Sequence, residues 1–228
     1  MRIVFMGSPE FAVDSLKGLV EASQHEVVAV ITQPDRPKGR GQKVLMTAVK
    51  EYALTKNLPV LQPVKIRAQE FVEELKALEP ELIVVVAFGQ FLPKDILQMP
   101  KYGCINVHAS LLPKYRGAAP IHYAIMNGET ETGVTIMMMD IGMDTGAMLA
   151  KSFIQISDEM TMGILHDQLK TVGAKLLLDV VKGLEKGTIM PVPQNNDEAT
   201  YASLLDKEIE KIEWNNTAQE IHNKVRGL

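Results

Sequence analysis

The residues best suited to chemistry in this chain crowd into one short run, GCINVHASLLPKYRGAAPI, residues 103–121. Read as a strand, Cys104-Ile105-Asn106-Val107-His108 sets Cys104, Asn106 and His108 on one face and Ile105 and Val107 on the other. Asn106 and His108 then stand roughly 7 Å apart, close enough to converge on one substrate atom. An Asn amide can donate to a developing oxyanion, and a His can move protons near neutral pH. Ser110-Leu111-Leu112-Pro113 follows at once and turns the backbone across the strand end.

His108 calls for a carboxylate to orient it or balance its charge. MMMDIGMDTG offers Asp140 and Asp144 in one Gly-rich loop. Spacing leaves the choice open, since either aspartate serves equally well as a turn former. A Cys104–His108–Asp nucleophile set is the rival arrangement. Against it, Cys104 lies early in an apolar strand with no helix N-terminus to lower its pKa, the setting of a buried thiol. A second cluster, Arg36, Lys38, Arg40 and Lys43 with Gly39 and Gly41, suits phosphate contact by side chain and backbone, or a plain solvated loop. The GSP at residues 7–9 is not GxGxxG, and no Walker sequence occurs, so a dinucleotide site has little support.

These residues sit between short apolar runs that alternate with helical patterns. Strands are expected over 2–6, 26–33, 58–61, 81–89 and 103–108, and helices over 10–22, 45–56, 68–79 and 118–128. Ser8 is the expected cap of the first helix and Pro9 its first turn, while PDRPKGRGQK, residues 34–43, reads as a loop. ELIVVVAFG, a continuous apolar stretch, is the pattern of a strand covered on both faces. Two further strands, 132–140 and 147–156, precede a long helix over 162–184. The sum is an α/β, Rossmann-like, open and mostly parallel sheet with helices on both faces and an antiparallel addition near its C-terminal end. Ligands in such sheets bind beyond the carboxyl ends of the strands. After about residue 205 the chain turns polar, with Asn216 or Thr217 placed to cap a short helix.

Composition narrows the function further. Net charge of −4 argues against a protein that coats nucleic acid without specificity, though not against a local basic element. A single cysteine excludes an internal disulfide framework, and no His/Cys group has zinc-ligand spacing, so no metal and a reducing cytoplasm are expected. No apolar run reaches the length of a membrane span.

Asn106-Val107-His108, Ser110–Pro113, Tyr115-Arg116-Gly117, Ala118-Ala119-Pro120-Ile121 and Asp144 within MDIGMDTG together resemble the folate-dependent formyltransferases. FMGSPEFAV, TQPDRPKGRGQK and VVVAFGQFLP narrow the likeness to those members that formylate methionine on initiator tRNA. The resemblance implies a formyl transfer from 10-formyltetrahydrofolate, as co-substrate, to that α-amino group, with Asn106, His108 and Asp144 as the catalytic set. It further implies folate contacts from Phe88, Gly89, Gln90, Ser110, Leu111, Leu112 and Pro113, and tRNA contacts from Arg36, Lys38, Arg40 and Lys43. It implies a catalytic domain over 1–205, with 206–228 as a linker towards a C-terminal barrel domain, and a monomer. Glycinamide ribonucleotide or amino-sugar formylation, or folate binding with little turnover, are the alternative functions.

Overall fold

The computed structural model describes residues 1–22, 24–38 and 42–228. In chain order the elements are β1 (Arg2–Gly7), α1 (Val13–Glu21), β2 (Glu26–Ile31), β3 (Arg36–Lys38), β4 (Lys43–Leu45), α2 (Ala48–Thr55), β5 (Val60–Leu61), α3 (Gln69–Ala77) and β6 (Leu82–Val86). The second half holds α4 (Lys94–Leu97), β7 (Cys104–His108), β8 (Arg116–Gly117), α5 (Pro120–Met126), β9 (Glu131–Met138), β10 (Met148–Gln155), α6 (Met162–Lys186), β11 (Tyr201–Ala202) and α7 (Ala218–Gly227).

The main sheet runs β10-β9-β7-β6-β1-β2-β5. Its pairs from β7 to β5 are parallel, and β9 and β10 join antiparallel. Apolar runs become central strands because the pleat sends alternate side chains into two cores. Ile3 and Phe5 of β1, Leu82, Val84 and Val86 of β6, and Ile105 and Val107 of β7 meet Leu16 and Leu19 of α1 and Leu165, Leu169 and Leu177 of α6. On the opposite face Val4 and Met6, Ile83 and Val85, and Cys104 meet Phe71, Val72 and Leu75 of α3 and Ile96 of α4. The expected fold class is the observed one.

Several local expectations differ. Within the expected loop over 34–43, Arg36–Lys38 form β3, which pairs antiparallel with β4, Pro37 opposite Val44, while residues 39–41 lie outside the described residues. A two-stranded ribbon tolerates Pro37 because its missing N–H is not needed by any third strand. Ser8 does not cap α1; a 3-10 turn over Glu10–Ala12 intervenes, and the Ser8 hydroxyl instead accepts from the Gln33 amide at 3.1 Å, tying the end of β1 to the end of β2. The helix expected from residue 45 starts only at Ala48, where the Thr47 hydroxyl accepts from the Lys50 amide. Thr217 does cap α7, with Glu220 closing the reciprocal bond of a capping box. That helix docks on α5, where His122 Nδ1 meets the Gly227 carbonyl at 2.7 Å, and the Arg226 guanidinium donates to the Ser157 and Met160 carbonyls. Among the described residues no helix is long and apolar enough to cross a membrane.

Candidate active site

The five parallel strands end on one edge of the sheet, and the site assembles around the last residues of β7. Asn106 and His108 project from the face opposite Ile105 and Val107, as the alternation requires. His108 is 6 % exposed. Its Nε2 lies 2.9 Å from the Tyr115 carbonyl. A carbonyl only accepts, so Nε2 carries the proton there and Nδ1 is the nitrogen left for other work. Asp144 Oδ2 stands 3.7 Å from that Nδ1. Nδ1 bears a proton only in the imidazolium, the form with which the carboxylate pairs. Among the described residues no hydrogen bond to the Asn106 side chain is formed, so its amide is free to donate.

Bringing Asp144 to His108 takes a chain reversal. β9 pairs with β7 so that Met138 lies opposite Ile105 and Thr135 opposite His108. The loop after β9 therefore leaves beside the start of β7 and must fold back along it. Asp144 takes a left-handed φ of 55°, which Asp tolerates better than most residues. Two residues on, a Cβ on Gly146 would lie 1.9 Å from the Met138 carbonyl oxygen, so only glycine lets the loop close. Asp140 serves this loop and not His108: its Oδ1 accepts from the Gly142 amide at 2.9 Å and the Thr145 hydroxyl at 2.6 Å.

The Asp144 carboxylate is held from the other side by the Gly117 amide, which donates to Oδ2 at 2.8 Å. Gly117 has a φ of 117°, and a Cβ there would fall 2.6 Å from the Ala202 carbonyl oxygen. That close approach exists because β8 pairs in parallel with β11, Arg116 beside Tyr201. Sequence reading missed this short pair, and with it the way Tyr115 and Gly117 bracket the His108–Asp144 pair.

The Ser110–Pro113 turn is fastened from beneath. Thr135 Oγ1 donates to the Ser110 carbonyl at 2.7 Å and accepts from the Leu112 amide at 3.1 Å, and the Lys151 ammonium donates to the Leu112 carbonyl. Burial pushes the Lys151 pKa down. Ser110, Leu112 and Pro113 are buried, and Leu111 is the one of the four with a partly open side chain. Of Phe88, Gly89 and Gln90, the Phe88 ring is in the core, its carbonyl accepting from Gln33 Nε2 at 3.0 Å. Gln90 Oε1 accepts from the Ile66 amide at 3.1 Å, and Gly89 is the exposed member, at φ 84°. Arg36 is exposed on β3; Lys38 and Lys43 lie on β3 and β4, and Arg40 lies outside the described residues. Cys104 is 1 % exposed, and burial pushes its pKa up to about 12, which suppresses the thiolate a nucleophile needs.

A formyl transferase family profile matches residues 1–181. The chain belongs to the formyl transferase family. It is 54% identical over 227 residues to a methionyl-tRNA formyltransferase of Acetivibrio thermocellus, covering 100% of this chain and 73% of that protein. It is 56% identical over 229 residues to the enzyme of that name from Clostridium perfringens, covering 100% and 74%. Among solved structures it resembles an N-formyltransferase from Helicobacter canadensis in complex with folinic acid and dTDP-3-aminofucose, at TM-score 0.77 and 26% identity over 100% of this chain and 80% of that one. This formyltransferase thus keeps its family's fold, and among its described residues no group of three His, Cys, Asp or Glu is placed to hold a metal ion.

Proposed function

We propose that this chain transfers the formyl group of 10-formyltetrahydrofolate to the α-amino group of methionine esterified to initiator tRNA. The observation that carries the reading is the pairing of His108 Nδ1 with Asp144 Oδ2 at 3.7 Å, beside a free Asn106 amide, in a chain more than half identical to enzymes so named. A peptide α-amino group has a pKa of about 7.7–8, so a useful neutral fraction exists near pH 7. The neutral amine attacks the formyl carbon, and a C–N bond forms as the carbonyl oxygen takes negative charge. Asn106 and the Nδ1–H of protonated His108 donate to that oxygen; losing one such donor typically costs ~3–4 kcal/mol of barrier. Asp144 takes part in passing the amine proton towards the departing folate nitrogen, whose bond to the formyl carbon then breaks. The catalytic set is therefore Asn106, His108 and Asp144.

Backbone opened at Ala87 (φ 47°) and Gly89 (φ 84°), together with the partly open Leu111, supports the folate ring contacting the 88–90 and 110–113 segments. The basic segment carrying Arg36, Lys38, Arg40 and Lys43 meets the acceptor end of the tRNA. The protein works as a monomer in the cytoplasm, with residues 1–205 as its catalytic domain and 206–228 as a linker whose helix α7 packs on α5.

The test supplies 10-formyltetrahydrofolate with methionyl-tRNA, glycinamide ribonucleotide or a nucleotide-linked amino sugar, and follows folate release. Release with methionyl-tRNA is expected. Release with the nucleotide or sugar alone contradicts the acceptor, and folate binding without release in any arm contradicts turnover.

A further inference from the structure

Arg116 is 2 % exposed, yet no carboxylate takes its guanidinium among the described residues. Its Nε and Nη2 donate instead to Gln194 Oε1 at 3.0 and 2.7 Å, and Nη2 also to Asn196 Oδ1 at 2.8 Å. Arginine only donates, so this contact fixes which end of the Gln194 amide faces it. The other end, Nε2, has two hydrogens, and both are engaged: one on the Asp144 carbonyl at 2.7 Å, one on the Gly146 carbonyl at 2.8 Å. Gln194 is delivered there by Val192, whose backbone bridges to Met148 at the start of β10, directly after the Asp144 loop.

We propose that Gln194, locked by Arg116, is the positioning residue for Asp144. The inference rests on the role given to Asp144 above. The Asp144 loop leaves the Asp144 and Gly146 carbonyls facing one amide nitrogen, and a primary amide can bond both at once. Gln194 thereby holds the backbone of Asp144, while the Gly117 amide holds its carboxylate. Tyr115, Arg116 and Gly117 then act on one constellation: the Tyr115 carbonyl orients His108, Arg116 orients Gln194, and Gly117 orients Asp144. Gln194 lies beyond residues 181 and so outside the segment the family profile matches.

Two variants separate the donors from the rest of the side chain. Gln194→Met removes donors and acceptor at similar length. Gln194→Glu keeps an acceptor for Arg116 but removes both donors. Gln194 acts only through Asp144, so its loss is bounded by the loss of the Asp144 charge, and kcat on methionyl-tRNA is expected to fall by about 10- to 40-fold in both variants with KM for the formyl donor unchanged. In an Asp144→Asn background, adding Gln194→Met should cost nothing further. Amide hydrogen exchange reads the same coupling without turnover. The Gly117 amide, bonded to Asp144, should lose protection in Gln194→Met, while the Ala118 amide, bonded to the Ala202 carbonyl at 2.8 Å, keeps it. Wild-type kcat in either variant, or full Gly117 protection in Gln194→Met, overturns the proposal. Joint loss at Gly117 and Ala118 also overturns it, because Gln194 would then hold only the β8–β11 pair. If the wild-type protein formylates no methionyl-tRNA, the acceptor reading fails, and the exchange experiment still decides the role of Gln194.

Discussion

Asp144→Asn isolates the charge of Asp144 from its shape. The left-handed φ of 55° suits Asn as well as Asp, so the loop has no reason to move. An amide oxygen can still accept from Gly117, replacing the 2.8 Å bond to Oδ2. What disappears is a full negative charge 3.7 Å from His108 Nδ1. With His108 protonated, that attraction amounts to about 4.5 kcal/mol at an effective dielectric of about 20. The Asp144 side chain is 17% exposed, so water screens part of it. Taking about half gives a loss of roughly 40-fold in kcat, at about 1.4 kcal/mol per factor of ten. The assay is single-turnover formylation of methionyl-tRNA, with a thermal melt and folinic acid binding to show that fold and folate site are intact. An Asp144→Asn protein that melts and binds like wild type and turns over within about threefold of it, well inside the electrostatic loss, would refute the argument.

Three further outcomes are expected. Thr135→Val leaves the buried Leu112 amide without its 3.1 Å acceptor, an unpaired donor worth about 1–3 kcal/mol, so the urea midpoint should fall; an unchanged midpoint contradicts the role given to Thr135. Cys104 has its pKa raised from 9.0 to about 12. Between those values the unfolded chain binds fewer protons than the folded one, so stability falls as pH rises. In Cys104→Ala the alkaline slope of stability should be shallower by about one proton, as read from denaturant melts across that window; an equal slope refutes the assignment. Arg36→Ala should weaken tRNA binding and reduce its log–log salt slope by about one, measured by titration at several ionic strengths; an unchanged slope removes Arg36 from the tRNA contact.

Local chemistry made much of the architecture legible. LIVVV is apolar on both faces because both are covered, and CINVH shows its two faces by alternation alone. Thr217 announced a helix by its own bond to the chain. What stayed hidden depends on tertiary placement. Asp140 and Asp144 could not be separated by spacing, because the distinction comes from a loop that folds back along β7. The β8–β11 pair joins two-residue segments, Arg116–Gly117 and Tyr201–Ala202, far apart in sequence and too short to carry a pattern. Gln194 stands among prolines and asparagines that read as a loop, and only its four hydrogen bonds reveal a purpose. In β3, Pro37 hides the strand signal that the pairing with Val44 of β4 supplies.

The account stands most directly on His108. Release of tetrahydrofolate from 10-formyltetrahydrofolate, with methionyl-tRNA as acceptor, should drop at least about 100-fold in His108→Ala, which loses an oxyanion donor and the partner of Asp144 together. The protein should still fold, with a lower melting temperature, since the truncation leaves a buried gap and the Tyr115 carbonyl without its 2.9 Å donor. A stable His108→Ala protein that releases folate at the wild-type rate would contradict the account.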